Sequence, residues 1–213
     1  MTATTATTPR AGQQRARILD AAQACFVRDG FHAASMASIA EAAGMSAGLI
    51  YRYFESKNAI ILAIIERQLR DKLDNIAKLA EDPDIARKFV DFFGRLRRGD
   101  PDVVNPALLL EIGAQATRDP QIGAAMAHSD RAAAAALGEW LRQITRARGL
   151  ALDDAGIRAR GLALQCLFDG LAMRAVKDPD LDPALLAAAL AAVLPQLLAS
   201  DPASPHSRET AEP

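Results

Sequence analysis

Apolar positions recur at helical spacing along almost the whole chain. In the first candidate helix, over residues 13–28, Ile18, Cys25 and Phe26 fall on one stripe. Over residues 56–80, isoleucines and leucines recur every three or four positions. We find no stretch that alternates apolar and polar residues as a half-buried strand does. The pattern therefore predicts an all-α protein.

Capping and turn residues divide this pattern into about nine helices. Ser35, Ser46 and Ser56 are suitable N-caps for the second, third and fourth helices, and Gly30 and Gly44 are suitable turn residues. The predicted spans are 13–28, 36–43, 47–54, 56–80, 84–98, 106–118, 120–148, 154–177 and 183–199.

The same boundaries predict two parts and two tails. A three-helix head covers residues 14–57, and the fourth helix (56–80) links it to a larger helical body over residues 58–200. Residues 1–13 and 201–213 are polar or small and punctuated by proline, so we expect disordered tails there.

Charge changes this picture slightly. The whole chain has a formal net charge of −1, but residues 1–57 hold six basic and four acidic residues, and the remainder holds 19 and 22. A mildly basic head on an acidic body suits local contact with a polyanion. An asymmetry of this size is also common by chance, so it is weak evidence.

Candidate chemistry outside the head is scarce. Cys25 and Cys166 lack metal-ligand spacing, and the three histidines are scattered. No hydrolase, metalloprotease, Walker or dinucleotide motif is present, so we expect no enzyme, no metal and no cofactor. Neither a signal peptide nor an apolar run of about 20 residues is visible, which predicts a cytoplasmic protein with no membrane partner.

Residues 35–54 form a helix-turn-helix pattern, with two short helices separated by a turn at Gly44. The second helix starts with small residues, whose backbone can approach a DNA groove closely, and it then presents polar donors. Ile50 and Phe54, four positions apart, can anchor it. Helix pairs of this kind are frequent in all-α proteins, and a solvated amphipathic face explains the same residues equally well.

Residues 38–57, SIAEAAGMSAGLIYRYFESK, resemble the signature of TetR-family repressors, IA..AG.S.G..Y.YF.SK. The resemblance extends over residues 15–67 and over the plan of a small head followed by longer helices. Residues 168–183 resemble more loosely the BetI-type branch of C-terminal domains. The resemblance implies a ligand-responsive repressor that binds a pseudo-palindromic double-stranded DNA operator as a homodimer and is released by an unknown small molecule.

The resemblance also implies the residues that contact DNA. They are Ser35, Ser46, Ala47, Gly48, Tyr51, Arg52, Tyr53 and Lys57. The chain departs from the family at Ala47 and Leu49, where polar residues are common in relatives. The specificity for the DNA sequence should therefore depend largely on Arg52 and Tyr53. Arg52 reaches either a guanine edge or a phosphate.

The last two helices are apolar around much of their circumference, which favours a second chain as partner over an ordinary monomeric core. The resemblance implies a four-helix bundle between two chains. The predicted interface residues are Leu164, Phe168, Leu171, Leu186, Leu190 and Leu194.

The middle helices combine large apolar residues with a few polar ones, a composition that suits a small-molecule pocket and equally an ordinary core. The candidate lining residues are Phe89, Phe92, Phe93, Leu108, Glu111, Ile112, Gln115, Met126, Trp140 and Phe168. In the family that the chain resembles, such a pocket acts on the head through the fourth helix. The alternative function is a dimeric helical module that binds a ligand or a protein without DNA.

Overall fold

The computed structural model describes residues 9–79, 84–100, 103–149 and 152–197. Within these ranges the chain forms nine α-helices and no strand, so the all-α prediction is confirmed. The helices are α1 (Pro9–Ala33), α2 (Met36–Ala42), α3 (Ala47–Tyr51), α4 (Lys57–Lys78), α5 (Ile85–Arg98), α6 (Pro106–Ala116), α7 (Pro120–Ala147), α8 (Asp154–Lys177) and α9 (Pro183–Leu197).

Two predicted helices differ clearly from the observed ones. Helix α1 starts four residues before and ends five residues after the predicted span, because proline is tolerated in a first turn and because the helix resumes beyond Gly30. Helix α3 ends at Tyr51, and turn hydrogen bonds to the Ile50 carbonyl continue the chain to Phe54. Of the predicted tails, residues 9–13 are helical, and residues 1–8 and 201–213 lie outside the described residues.

Gly30 kinks α1 near its end. Its backbone angles, φ 78° and ψ 160°, lie in a region that is essentially restricted to glycine. A helical turn resumes after the kink, and the Ala34 amide donates to the Gly30 carbonyl at 3.2 Å. Glycine at position 30 therefore determines how the chain leaves α1 and enters α2.

The first compact unit consists of residues 9–70 and 104–129. In it α1 packs against α2 and α6, and α2 packs against α3. The buried core includes Ile18, Phe26, Ile39, Ile50, Ile60 and Ile64 from the head and α4, and Leu108, Ile112 and Ile122 from α6 and α7. Helix α6 thus shares its core with the helix-turn-helix, although the sequence pattern assigned residues 58–200 to one separate domain.

The second compact unit contains the described residues of 71–103 and 130–197. Helix α5 packs there against α8 and α9. The unit buries Ile85, Phe89, Phe93, Leu96, Leu137, Trp140, Leu141, Ile157, Leu164, Leu171, Leu186, Leu190 and Leu194. The Phe168 ring stacks on Phe89 and meets Phe92 edge-on, with centroids 4.4 and 5.4 Å away.

No helix in the described part of the chain is long and apolar enough to cross a membrane.

The kink gives a prediction for Gly30→Ala. A Cβ at residue 30 would meet the Glu111 carboxylate oxygens at ordinary contact distances of 3.7 and 4.0 Å. The cost is therefore one of backbone conformation, and we expect a loss of about 1–3 kcal/mol in the free energy of unfolding, measured with denaturant.

Gly12→Ala is the matched control. Gly12 lies in the same helix with open space around it, so alanine should raise stability by about 0.5–1 kcal/mol. Equal effects of the two substitutions would contradict the assigned role of Gly30.

Candidate nucleic-acid interface

Reciprocal hydrogen bonds fix the start of α2. The Ser38 amide donates to Ser35 Oγ at 3.0 Å, and the Ser35 amide donates to Ser38 Oγ at 2.9 Å. This is a capping box built from two serines, and it satisfies two backbone donors that a helix start otherwise leaves open. Ser35 is therefore the N-cap that the sequence predicted.

The turn between α2 and α3 is held from α1. Gly44 takes a left-handed conformation with φ 62°, and the Met45 amide donates to the Ala40 carbonyl at 2.9 Å. The Arg17 guanidinium on α1 donates to the Ala43 carbonyl at 2.7 Å. The sequence interpretation missed this role, because an exposed arginine on α1 gives no sign of the carbonyl it reaches.

Helix α3 is anchored by one face. Ser46 caps it by accepting from the Leu49 amide at 3.3 Å, while Ile50 and Phe54 are buried in the core of the first unit. The Arg15 guanidinium lies 4.3 Å from the centre of the Phe54 ring, which adds a cation–π contact. These contacts set which face of α3 is turned to solvent.

The exposed residues of the helix-turn-helix include most of the predicted DNA contacts. Ser35, Ser46, Ala47, Gly48, Tyr51 and Arg52 are all exposed, with Tyr51 at 55%. Tyr53 is half-buried and packs against the core of the first unit, so its ring is partly used for anchoring. The exposed set presents small residues first and then a phenol and a guanidinium.

Lys57 is held differently from the other predicted contacts. Its ammonium donates to the carbonyls of Phe31, Ala34 and His32 at 2.5, 2.6 and 3.2 Å, and lies 4.5 Å from the centre of the Phe31 ring. Burial lowers the pKa of Lys57 from its usual value. Since an ammonium has three N–H donors, these bonds use its donor capacity within the chain.

A shallow cleft of about 510 Å³ opens beside these residues. It lies where the end of α1, the start of α2, the end of α3 and the start of α4 meet. Its lining is His32, Ala33, Ala34, Ser35, Met36, Tyr51, Glu55, Ser56, Lys57 and Asn58. The hydroxyls of Tyr51 and Ser56 can donate to a phosphate oxygen, whereas the Ser35 hydroxyl donates to Ser38 Oγ at 3.2 Å.

The predicted ligand residues fall into two groups. Leu108, Ile112 and Met126 belong to or pack against the core of the first unit, where Glu111 and Gln115 bond to the end of α1. Phe89, Phe92, Phe93, Trp140 and Phe168 belong to the second unit. The ring cluster of Phe89, Phe92 and Phe168 is the part of the prediction that the fold brings together.

The predicted dimer residues need a correction. Leu164, Leu171, Leu186, Leu190 and Leu194 are each at most 7% exposed in the single chain, and Phe168 contacts Phe89 and Phe92. The five leucines fill the core of the second unit, because α5 covers that side of α8 and α9, while Phe168 is half-buried. The large apolar residues that α8 and α9 leave exposed are Leu162, Val176, Leu185 and Val193.

Comparison with known proteins identifies the class of this helix-turn-helix. Residues 18–64 match the family model of bacterial regulatory proteins of the tetR family. The transcriptional regulator BetI of Cronobacter sakazakii is 33% identical over 177 residues, which cover 78% of this chain and 83% of BetI. The chain therefore belongs to the TetR family, and the family prediction is confirmed.

Two further relatives show how far the likeness extends. The transcriptional regulator UidR of Escherichia coli K12 is 38% identical over 112 residues, which span 52% of this chain and 55% of UidR. The match thus spans little more than half of the UidR chain. The structure of Salmonella enterica GusR superposes with a TM-score of 0.73 at 28% identity, covering 91% of this chain and 98% of GusR.

The geometry around Lys57 predicts a structural effect of its removal. Lys57→Met leaves the Phe31, His32 and Ala34 carbonyls without their charged donor, and we expect it to lower the free energy of unfolding by about 1.5–3 kcal/mol. Lys78→Met changes an exposed lysine of the same helix and should stay within about 0.5 kcal/mol of wild type. Chemical denaturation measures both, and equal losses would show that the Lys57 bonds carry no stability.

Proposed function

We propose that the protein is a transcriptional repressor that binds a pseudo-palindromic DNA operator as a homodimer and is released by a small molecule. The observation that carries the proposal is the geometry of α3, whose buried face fixes it while its small N-terminal residues and its polar residues remain exposed. Membership of the TetR family supports the same function.

Backbone and phosphate contacts should dominate the docking of α3. Ala47 and Gly48 bring no side-chain donor, so close approach of the backbone is their contribution. The cleft next to Ser35, Tyr51 and Ser56 suits a sugar-phosphate strand. Arg52 is exposed and has the guanidinium fork that recognises guanine or phosphate. It is therefore the residue on which the specificity for the operator sequence depends most.

A homodimer is supported by the exposed apolar side chains of the last two helices. Leu162 and Leu185 are each 61% exposed, and Val176 and Val193 are 44% and 48% exposed. Large apolar side chains grouped on two helices favour contact with a second chain. Two-fold symmetry would also place two α3 helices in successive major grooves, about 34–36 Å apart.

Release by a small molecule is supported by the aromatic cluster of the second unit. Phe89, Phe92 and Phe168 combine stacked and edge-on rings, and Phe92 and Phe168 are half-buried. Rings of this kind suit an apolar or aromatic effector. An effector acts only if it binds the DNA-incompetent state more tightly, by about 1–3 kcal/mol in ordinary allosteric proteins.

The role of Arg52 can be tested by DNA binding. Fragments of genomic DNA selected by the wild-type protein serve as probes in a binding titration at several salt concentrations. Arg52→Ala should weaken binding by about 1–3 kcal/mol if the guanidinium contacts a base, and should reduce the salt slope by about one if it contacts phosphate. Arg70→Ala removes the same charge from an exposed site on α4 and should change affinity little.

Wild-type affinity in the Arg52→Ala variant would remove Arg52 from the interface. Failure of the wild-type protein to enrich any DNA fragment would instead favour a helical binding module that does not use DNA.

The proposed dimer interface can be tested by the mass of the protein in solution. Leu185→Glu combined with Val193→Glu places two charges on the exposed apolar surface of α9, and it should convert a dimer into a monomer of 22.7 kDa. Val27→Glu, on α1, is the control, since Val27 is 38% exposed and should not affect assembly. Sedimentation equilibrium measures the mass, and an unchanged dimer in the double variant would exclude this surface as the interface.

A further inference from the structure

The segment from Gly30 to Ala34 comprises the last turn of α1 and the junction with α2, and it is bonded from two distant helices. On one side the Glu111 carboxylate of α6 accepts from the Phe31 amide at 3.1 Å. On the other side the Lys57 ammonium at the start of α4 donates to the Phe31, His32 and Ala34 carbonyls. An anion thus holds the N–H group of Phe31 while a cation holds its carbonyl.

Helix α6 is itself placed by apolar packing. Leu108 and Ile112 are 0% and 2% exposed and lie in the core of the first unit. Glu111 and Gln115 are one turn apart on α6, and Gln115 Nε2 lies 3.3 Å from the His32 ring nitrogen. Both side chains therefore reach the segment between α1 and α2 from a helix whose position the core determines.

A further bond links α6 to α4 through the start of α7. Asp119, in the turn between α6 and α7, accepts from the side-chain Nδ2 of Asn58 with one carboxylate oxygen. Its other oxygen accepts from the Gln121 and Ile122 amides at 2.8 and 3.3 Å, and so caps α7. The α6–α7 turn, whose Asp119 backbone amide donates to the Gln115 carbonyl of α6 at 2.9 Å, is thereby bonded to α4.

The helix-turn-helix follows residues 31–34 directly. Ser35 caps α2, the Arg17 bond holds the end of α2, and α2 packs against α3. A shift of the Phe31 peptide therefore moves the start of α2, and α3 moves with it. The bond at Phe31 is charge-assisted, which makes it stronger than a neutral one.

We propose that Glu111 is a positioning residue for DNA binding, which sets the orientation of α2 and α3 from α6 through the Phe31 amide. This inference rests on the proposed function, because its effect is read in DNA affinity. It gives Glu111 a role different from a ligand contact: the carboxylate is engaged within the first unit and acts on the helices that carry the proposed DNA contacts.

Three substitutions separate the acceptor from the charge. Glu111→Gln keeps an oxygen acceptor at the same reach and loses the charge. Glu111→Met loses both. Glu111→Asp keeps the charge but is one methylene shorter and should not reach the Phe31 amide at 3.1 Å. Since the Gln and Met variants carry the same net charge, any general electrostatic effect on a polyanion cancels between them.

The experiment measures the affinity of each variant for a DNA fragment selected by the wild-type protein. We expect Glu111→Gln to bind within about threefold of wild type, and Glu111→Met and Glu111→Asp to bind about tenfold more weakly, a difference worth about 1.4 kcal/mol. The salt slope should be the same in all of them, because the number of phosphate contacts does not change. Amide exchange of Phe31, followed by NMR, should accelerate in the Met and Asp variants and not in the Gln variant.

Equal affinity of the Met and Gln variants would overturn the proposal. Thermal unfolding identifies any variant that does not fold, and the Asp and Gln variants then carry the comparison without the Met variant. A wild-type protein that binds no DNA fragment defeats the proposed function instead, so the two failures are distinguishable.

Discussion

The bend between α1 and α2 is the constraint on which the helix-turn-helix depends. Gly30 adopts backbone angles that other residues reach at a cost, and the chain after it runs only four residues before Ser35 caps α2. Over those four residues the backbone cannot rely on a regular helix for all of its hydrogen bonds. Lys57 and Glu111, from helices far away in sequence, supply partners for Phe31, His32 and Ala34.

Short-range signals accounted for most of the secondary structure and for the exposed part of the candidate site. The serine caps at positions 35, 46 and 56, the turn at Gly44 and the apolar anchors Ile50 and Phe54 are all local features, and the structure has them where the pattern predicted. Local chemistry also predicted a break at Gly30, as the end of the first helix. It did not predict that the helix would resume for another turn.

Contacts between residues far apart in the chain could not be predicted from such local signals. A lysine at the start of a helix reads as a solvated cation until the carbonyls around it are known, and Glu111 between two apolar residues has no preferred partner in the sequence. The leucines of α8 and α9 illustrate a related limit. Periodicity shows that a helix has several apolar faces, but it does not show which face packs against α5 within the chain and which remains exposed.

The shared core of α1, α4, α6 and the start of α7 has a consequence for folding during synthesis and for chimaeras made between related proteins. The unit that carries the helix-turn-helix lacks part of its buried core until Ile122 has been synthesised, since Leu108, Ile112 and Ile122 complete that core. A chimaera joined after the fourth helix would pair the head with a foreign α6. The portable module of this protein is therefore discontinuous in sequence, and it includes residues 104–129 as well as residues 9–70.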